Sequence, residues 1–501
     1  MRMHFVAVAA AITLALAGCV SSGGLHPDGQ AIAPSSLQTA RSLSGVTLSP
    51  AAWPQTDWWT GLGDAQLDAL MAEALRDNPG LAVADARARA AQAAVGAADA
   101  ARGPGVNAGA SVAGARLPTT VLPAKVGGGH FQVAKYGDVS FKWGLDLWGG
   151  KRAAWEAALG SARAAEIETR AARIELSGNV AAAYAQLGYA FTEQDLSRAE
   201  LARASKAREL TRQRVAAGID NQIQLRQCDA EVASAEQQVA LAARAIDAAR
   251  SSLAVLLGKG PDRGRDIARP QLLQPAELAV PDNLPVDLLG HRADLVAARW
   301  RVEAASKDIQ AAKTEFLPNV SIGAMAGLIT LGGRNLFEMP ARFYQLGPSI
   351  SLPIFDGGRL RANLRGRDAQ YDLAVAQYNQ ALVGAVNQVT DGLSALQSLR
   401  AQIAAQQRAQ DAARGAWQLA QQRYRAGVGS YLEALGVRRQ LLAAERGMAA
   451  LQAQQVERSV QLIQALGGGY RPTPHELPPA SAAPAAATPA APTPSSSTSR
   501  S

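Results

Sequence analysis

The chain has 501 residues, 48% of them hydrophobic but only 5% aromatic, and 50 Lys and Arg stand against 42 Asp and Glu. The apolar content is largely alanine, which suits thin, closely packed helices better than a bulky globular core. The net charge of +8 comes with no block of five basic residues and no recognition motif, so it marks solvated helix faces rather than a nucleic-acid surface; five His and two Cys leave little for a zinc site or a disulfide framework.

Arg2 precedes an apolar run from Phe5 to Leu16, the length of a signal-peptide core and too short to span a bilayer as a helix. The run closes on Leu16-Ala17-Gly18-Cys19, small residues before a cysteine, as a lipoprotein signal peptidase requires. Residues 1–18 are therefore expected to be removed, leaving Cys19 with diacylglycerol and palmitate as its only covalent additions. Val20 is not the Asp that retains lipoproteins at the inner membrane, so outer-membrane delivery is the default. Residues 19–60 are expected to form a lipidated tether that starts with the flexible Val20-Ser21-Ser22-Gly23-Gly24. Cys228 is then left without a disulfide partner or a nearby histidine, and is expected to be a small packing residue.

The remainder repeats itself. Arg214-Val215-Ala216-Ala217-Gly218-Ile219 recurs 209 positions later as Arg423-Tyr424-Arg425-Ala426-Gly427-Val428, and Leu257-Gly258 recurs at the same offset as Leu466-Gly467. Trp148-Gly149-Gly150-Lys151 matches Asp356-Gly357-Gly358-Arg359 with an offset of 208, which implies one residue gained in between. Arg102-Gly103-Pro104-Gly105-Val106 resembles Phe316-Leu317-Pro318-Asn319-Val320. Two copies of one unit are expected, over 61–260 and 286–470, joined by a proline-containing linker at 261–285 and followed by a Pro/Ala/Ser-rich tail at 471–501 that is expected to be disordered.

Each copy begins with an Ala-rich helical stretch, from about Asp64 to Arg102 and from about Val286 to Phe316. Two strand-like pieces follow. Val106, Ala108, Ala110 and Val112 alternate with polar or small residues, as do Val139, Phe141, Trp143, Leu145 and Leu147; Val320, Ile322, Ala324 and Ala326; and Tyr344, Leu346, Ile350, Leu352 and Ile354. Segments of about ten residues with this alternation fit tilted strands in a bilayer, with one face to lipid and one to water. A soluble sheet with one buried face has the same alternation. Trp143, Trp148 and Tyr344 are candidate interfacial girdle residues. Four strands cannot enclose a pore, and lipid does not tolerate open sheet edges, so a membrane sheet of this kind requires several chains; three would supply twelve strands.

After each Gly-Gly comes a proline-free run, from Gly150 to Gly218 and from Gly358 to Gly427, that would reach about 100 Å as one helix. Each then turns at a glycine into a helix of about 60 Å. Such helices make a tall, narrow wall, or alternatively a coiled-coil scaffold without a channel. No phosphate loop, nucleophile elbow or metal-ligand cluster accompanies them, so no enzymatic activity is expected.

Several segments together resemble the TolC-like outer-membrane factors of tripartite efflux systems, in their lipoprotein (NodT-like) branch. They are Trp58-Trp59 with Asp64, Leu67, Leu70 and Asn78-Pro79-Gly80-Leu81; Val280-Pro281-Asp282-Asn283-Leu284-Pro285; Leu352-Pro353-Ile354-Phe355-Asp356-Gly357-Gly358; and Arg423-Tyr424-Arg425-Ala426-Gly427-Val428. The resemblance implies an α+β membrane protein, a homotrimer whose twelve-stranded barrel in the outer membrane of a Gram-negative bacterium continues into a twelve-helix periplasmic barrel. It implies a passive exit duct for small toxic compounds or drugs, delivered by an inner-membrane RND-type transporter and a periplasmic adaptor. Protein secretion and metal-ion efflux are alternatives on the same architecture. The resemblance places adaptor docking at the turns Gly218-Ile219-Asp220 and Gly427-Val428-Gly429-Ser430. Two departures stand out. His291-Arg292-Ala293-Asp294 lacks the proline of the family's motif, and Gly436, with Gln227 as its counterpart, stands where many relatives carry an aperture Asp. Asp220, Glu433 and Arg439 are the candidates for aperture contacts instead.

Overall fold

The computed structural model describes residues 21–39, 41–44, 53–116, 118–121, 123–126, 128–271, 273, 284–331 and 335–477. The expected signal peptide, Cys19, the Val280–Asn283 part of the mid-chain motif and the tail from 478 lie outside the described residues. The first copy comprises α1 (Ala65–Asp77), α2 (Pro79–Ala100), β1 (Gly105–Arg116), β2 (Phe131–Leu145), α3 (Gly150–Ala216) and α4 (Gln222–Leu256). A short α5 (Pro261–Arg265) follows. The second copy comprises α6 (Leu284–His291), α7 (Ala293–Thr314), β3 (Asn319–Leu331), β4 (Arg342–Ser351), α8 (Arg359–Arg425) and α9 (Tyr431–Ala465). Helices α3 and α8 are each 67 residues, about 100 Å, and α4 and α9 are each 35, about 50 Å. Among the described residues no helix is long and apolar enough to cross a membrane.

The leading helical stretch of each copy is broken where the sequence suggested one helix. Asn78 ends α1 and starts α2: its Oδ1 accepts from Gly80 N–H at 2.7 Å, its Nδ2 donates to Leu256 O at 2.7 Å, and Pro79 fits the first helical position, where no N–H is needed. In the second copy the break is at Arg292, and α7 starts at Ala293 without the family's proline. The guanidinium does the work there, donating to Asp294 at 2.6 Å, Gln388 at 2.9 Å and the Ala465 carbonyl at 3.0 Å.

The Gly-Gly landmarks also need correcting. The left-handed N-cap of α3 is Gly149, at φ 74°, and that of α8 is Gly358, at φ 88°, so the offset is 209 here too and no residue was gained. What shifted by one is the capping carboxylate. Asp146 accepts from the N–H groups of Lys151 and Arg152, four positions before its helix, whereas Asp356, three before, accepts from Gly358 and Leu360. The strands are also shorter at the helical end than the alternation suggested: Leu147 lies past β2, and Leu352 and Ile354 lie past β4.

The core sits where the short and long helices overlap. Leu62, Leu67, Leu70, Met71, Tyr184 and Leu253 pack in the first copy; Leu288, Leu295, Leu382, Val389 and Leu462 pack in the second. The fully buried Tyr184 donates to Asp64 Oδ2 at 2.7 Å and accepts from Gln66 Nε2 at 2.7 Å, and Asp64 also accepts from Gln271 N–H at 2.9 Å. Toward the sheet α3 turns alanine and glycine to α7, while Ile309, Phe316, Leu360 and Leu364 form a small cluster in the second copy. A Cβ on Gly160 of α3 would stand 3.1 Å from that of Ala304 on α7, so these backbones meet almost directly.

Candidate functional site: the sheet face and the helical tips

The four strands form one antiparallel sheet in the order β1-β2-β3-β4. Its register decides which side chains share a face. Ala108 pairs with Val139, Val139 with Ala326 and Ala326 with Tyr344; one step along, Val106, Phe141, Ala324 and Leu346 align. The four alternations seen in the sequence therefore fall on one side, and Trp143 and Ile350 belong to it. That face is bare: Tyr344 is 89% exposed, Leu346 76% and Ile350 73%. The opposite side carries Asn107, Ser140, Ser321, Gln345 and Ser349. One apolar face, one polar face and free outer edges on β1 and β4 are what a segment of a membrane barrel presents.

The three girdle candidates are placed as follows. Trp143 lies on the apolar face near the helical end, and its indole N–H donates to Arg102 O at 3.1 Å. Trp148 follows β2 and donates to Pro318 O at 2.7 Å. Tyr344 is near the loop end of β4. Both tryptophans thus tie the strand–helix junctions of one copy to the other's or to the preceding helix.

At the opposite end each long helix closes with the same motif. Gly218 (φ 71°) and Gly427 (φ 75°) occupy the left-handed position; Ile219 N–H donates to Arg214 O at 2.9 Å, and Val428 N–H to Arg423 O at 3.1 Å. Asn221 with Gln224, and Ser430 with the Glu433 N–H, then cap α4 and α9. Ile219, Ile223, Val428 and Leu432 stand exposed at the tips.

The two tips nevertheless differ. In the first, Asp220 accepts two hydrogen bonds from Arg214, at 2.7 and 3.2 Å, and its carboxylate is almost entirely buried. The hydrogen bond pushes the Arg214 guanidinium above its ordinary pKa. In the second, the position of Asp220 is taken by Gly429; Arg423 lies 3.8 Å from Glu433, with both side chains about half exposed, and donates to Val428 O at 3.5 Å. Arg214 also lies 5.2 Å from the Tyr424 ring centre, so it joins the two hairpins. Beside it, Cys228 packs against Tyr431 and Leu435 and is 1% exposed. Burial pushes the Tyr424 and Tyr431 hydroxyls up. Arg439 pairs with Glu231 of α4. Each aperture candidate therefore has a partner within its own chain. A Cβ on Gly436 would meet nothing within 4 Å.

Sequence reasoning missed a nearly buried tie between copies. In the first copy Arg208 and Asp229 pair at 2.6 Å. The positions 209 further on hold Trp417 and Arg438, with the guanidinium 6.0 Å from the indole centre. With Trp417 in place of the carboxylate's partner, Arg438 crosses to α3 and binds Glu200 at 2.9 Å, with both side chains nearly buried, while Glu445 on its own helix stands at 3.4 Å. Laying the copies over each other would have exposed that substitution. No group of three or more His, Cys, Asp or Glu able to hold a metal ion occurs among the described residues.

The sequence pattern of the outer membrane efflux proteins matches residues 70–259 and 284–468. The chain belongs to the outer membrane efflux protein family. This efflux protein is 35% identical over 373 residues to the fusaric acid resistance protein FusA of Burkholderia cepacia, covering 72% of this chain and 68% of that one. It is 31% identical over 471 residues to the multidrug resistance outer membrane protein MdtP of Escherichia coli K12, covering 92% and 96%. Among solved structures it is similar to the outer membrane protein VceC of Vibrio cholerae, with 35% identity and a TM-score of 0.77 over 83% of this chain and 100% of that one. The efflux protein is thus a channel component of the outer membrane that extends into the periplasm. Family members are channel and transport components rather than enzymes.

Proposed function

We propose that three copies of this efflux protein form one duct, a twelve-stranded barrel in the outer membrane that continues into a twelve-helix periplasmic tunnel. The observation that carries this reading is the sheet: two unlike faces and two free edges on four strands. Four strands leave edges that lipid does not satisfy, and twelve are enough to enclose water. The substrates are small toxic organic compounds, in keeping with the names of FusA and MdtP, handed over by a periplasmic adaptor and an inner-membrane RND-type transporter. Deleting the gene should sensitise cells to such compounds while protein secretion continues; unchanged susceptibility to a broad panel would overturn the reading.

The adaptor docks at the tips. Gly427→Pro removes an N–H that donates to Tyr424 O at 3.1 Å and demands a negative φ where the chain needs 75°. Crosslinking of the adaptor should fall severalfold with the trimer intact; a lost trimer would make this glycine purely structural.

Cys19 carries the lipid. Support comes from the segment after it, which is no free tether. Residues 21–32 lie along α8 in the same direction: Ser21 O accepts from Arg361 Nε at 3.1 Å, Gly29 N–H donates to Asp372 at 2.6 Å and Ile32 N–H to Asn379 at 2.8 Å. Leu25 packs by Phe316 and Leu360. Ser21, two residues after Cys19, thus sits at the first turn of α8, next to the strands. Cys19→Ser should abolish incorporation of labelled palmitate, with trimers still forming through the barrel.

A further inference from the structure

The polar face of the sheet holds an anomaly. Among its serines, glycines and amides, Tyr136, Met325, Ile329 and Phe343 rise from three adjacent strands. The Tyr136 and Phe343 rings stack with centroids 5.8 Å apart and planes 21° apart. The Tyr136 hydroxyl donates to Met325 Sδ at 3.4 Å. Gly327 is the floor of this cluster: a Cβ there would lie 2.8 Å from Phe343 Cε1 and 2.3 Å from Gly137 O, so the ring position requires glycine.

The register sets Gly327 between Phe343 and Asp138. On its other side Asp138 faces Gly109, where a Cβ would stand 3.0 Å from its Oδ1. A carboxylate therefore shares a row with Phe343, one row from Tyr136 on the same strand, and has a glycine on either side. The other charge that the register puts on this face is Lys142, four residues along β2 and about 13 Å away. Large apolar side chains on a water-facing surface mark an interaction site when they cluster. Ring faces are electronegative and, with a carboxylate beside them, complement a cation with an apolar body.

We propose that Tyr136, Asp138, Met325 and Phe343 form a lumenal subsite for organic cations with an aromatic body, repeated three times around the outer end of the duct. The inference rests on the trimeric duct with this face inward. Cluster and loops lie at the same end, since β3 finishes and β4 begins there, away from the helices. A departing cation would exchange water for ring faces before release.

The test uses Ile329→Cys, whose position pairs with Tyr136 in the register. Cells bearing this variant are treated from outside with a membrane-impermeant maleimide; Cys228 is buried and stays silent. Benzyltrimethylammonium should slow labelling, tetramethylammonium should need about fivefold to tenfold more for half-protection, and benzoate should not protect. Asp138→Asn should raise the half-protecting concentration about tenfold. Phe343→Leu should erase the preference for the aryl cation. Labelling without protection, equal protection by benzoate, or protection unchanged in Asp138→Asn overturns the subsite and leaves the duct standing. Failure of the duct itself looks different: Ile329→Cys is unreactive from outside, or the chain is monomeric in the membrane.

Discussion

Val139→Arg is expected to cut the yield of membrane-inserted trimer at least tenfold, read as the trimer band of outer-membrane fractions on native gels. Val139 sits in the middle of β2 on the apolar face, level with Ala108, Ala326 and Tyr344. An arginine facing lipid near the midplane costs about 2–4 kcal/mol, and a trimer would contain three. Ser140→Arg, one residue on, points the same charge at the other face and should assemble almost normally. Leu145→Arg, at the helical end of β2, should cost about 0–1 kcal/mol, because the penalty falls toward the interface. Equal behaviour of Val139→Arg and Ser140→Arg would show that the faces are misassigned.

The second large effect is expected at Arg438. Removing it takes from Glu200 one of its two cations, with Arg203 staying behind, and takes Arg438 from Glu445 in a nearly buried site, a loss on the order of 1–3 kcal/mol for charge-assisted hydrogen bonds. Arg438→Ala should loosen α9 from α3, seen as faster hydrogen exchange over the first turns of α9 and a larger current in planar bilayers. Asp229→Ala, which breaks the equivalent but more exposed Arg208 pair in the first copy, should change both by little, about 0–1 kcal/mol. If Arg438→Ala and Asp229→Ala are alike, the crossing pair does not bind the hairpins together.

Features with a period or a special residue could be read from the sequence. The alternating strands, the proline-free helices and the tip glycines depend on local backbone and on burial of one face, both written into neighbouring positions. The turn at Gly218 was readable because an L residue is strained at positive φ. Features that depend on a distant partner could not be read. Asp220 looked like a free aperture charge, and only the fold shows Arg214 closing on it. The break at Arg292 lacks a proline and is held by α8 and α9, which lie far off in the chain. The shift of the capping carboxylate from Asp146 to Asp356 misled the alignment of the Gly-Gly pairs, because two solutions to one capping problem differ by a residue. The aromatic cluster on the polar face of the sheet was hidden for a similar reason: Tyr136, Met325 and Phe343 occupy the polar phase of their strands, where the alternation gives no reason to look for rings.

The matched helix lengths, 67 with 67 and 35 with 35, act as a ruler cut twice to one measure. Each inserted or lost residue moves a helix end by about 1.5 Å and turns it by about 100°. In the proposed trimeric cylinder, a change in one copy alone would leave the rim stepped, with alternate hairpins proud of their neighbours and no level seat for a partner. Evolution can therefore lengthen or shorten this duct only by editing both copies together, ascending and descending limbs alike, in whole turns.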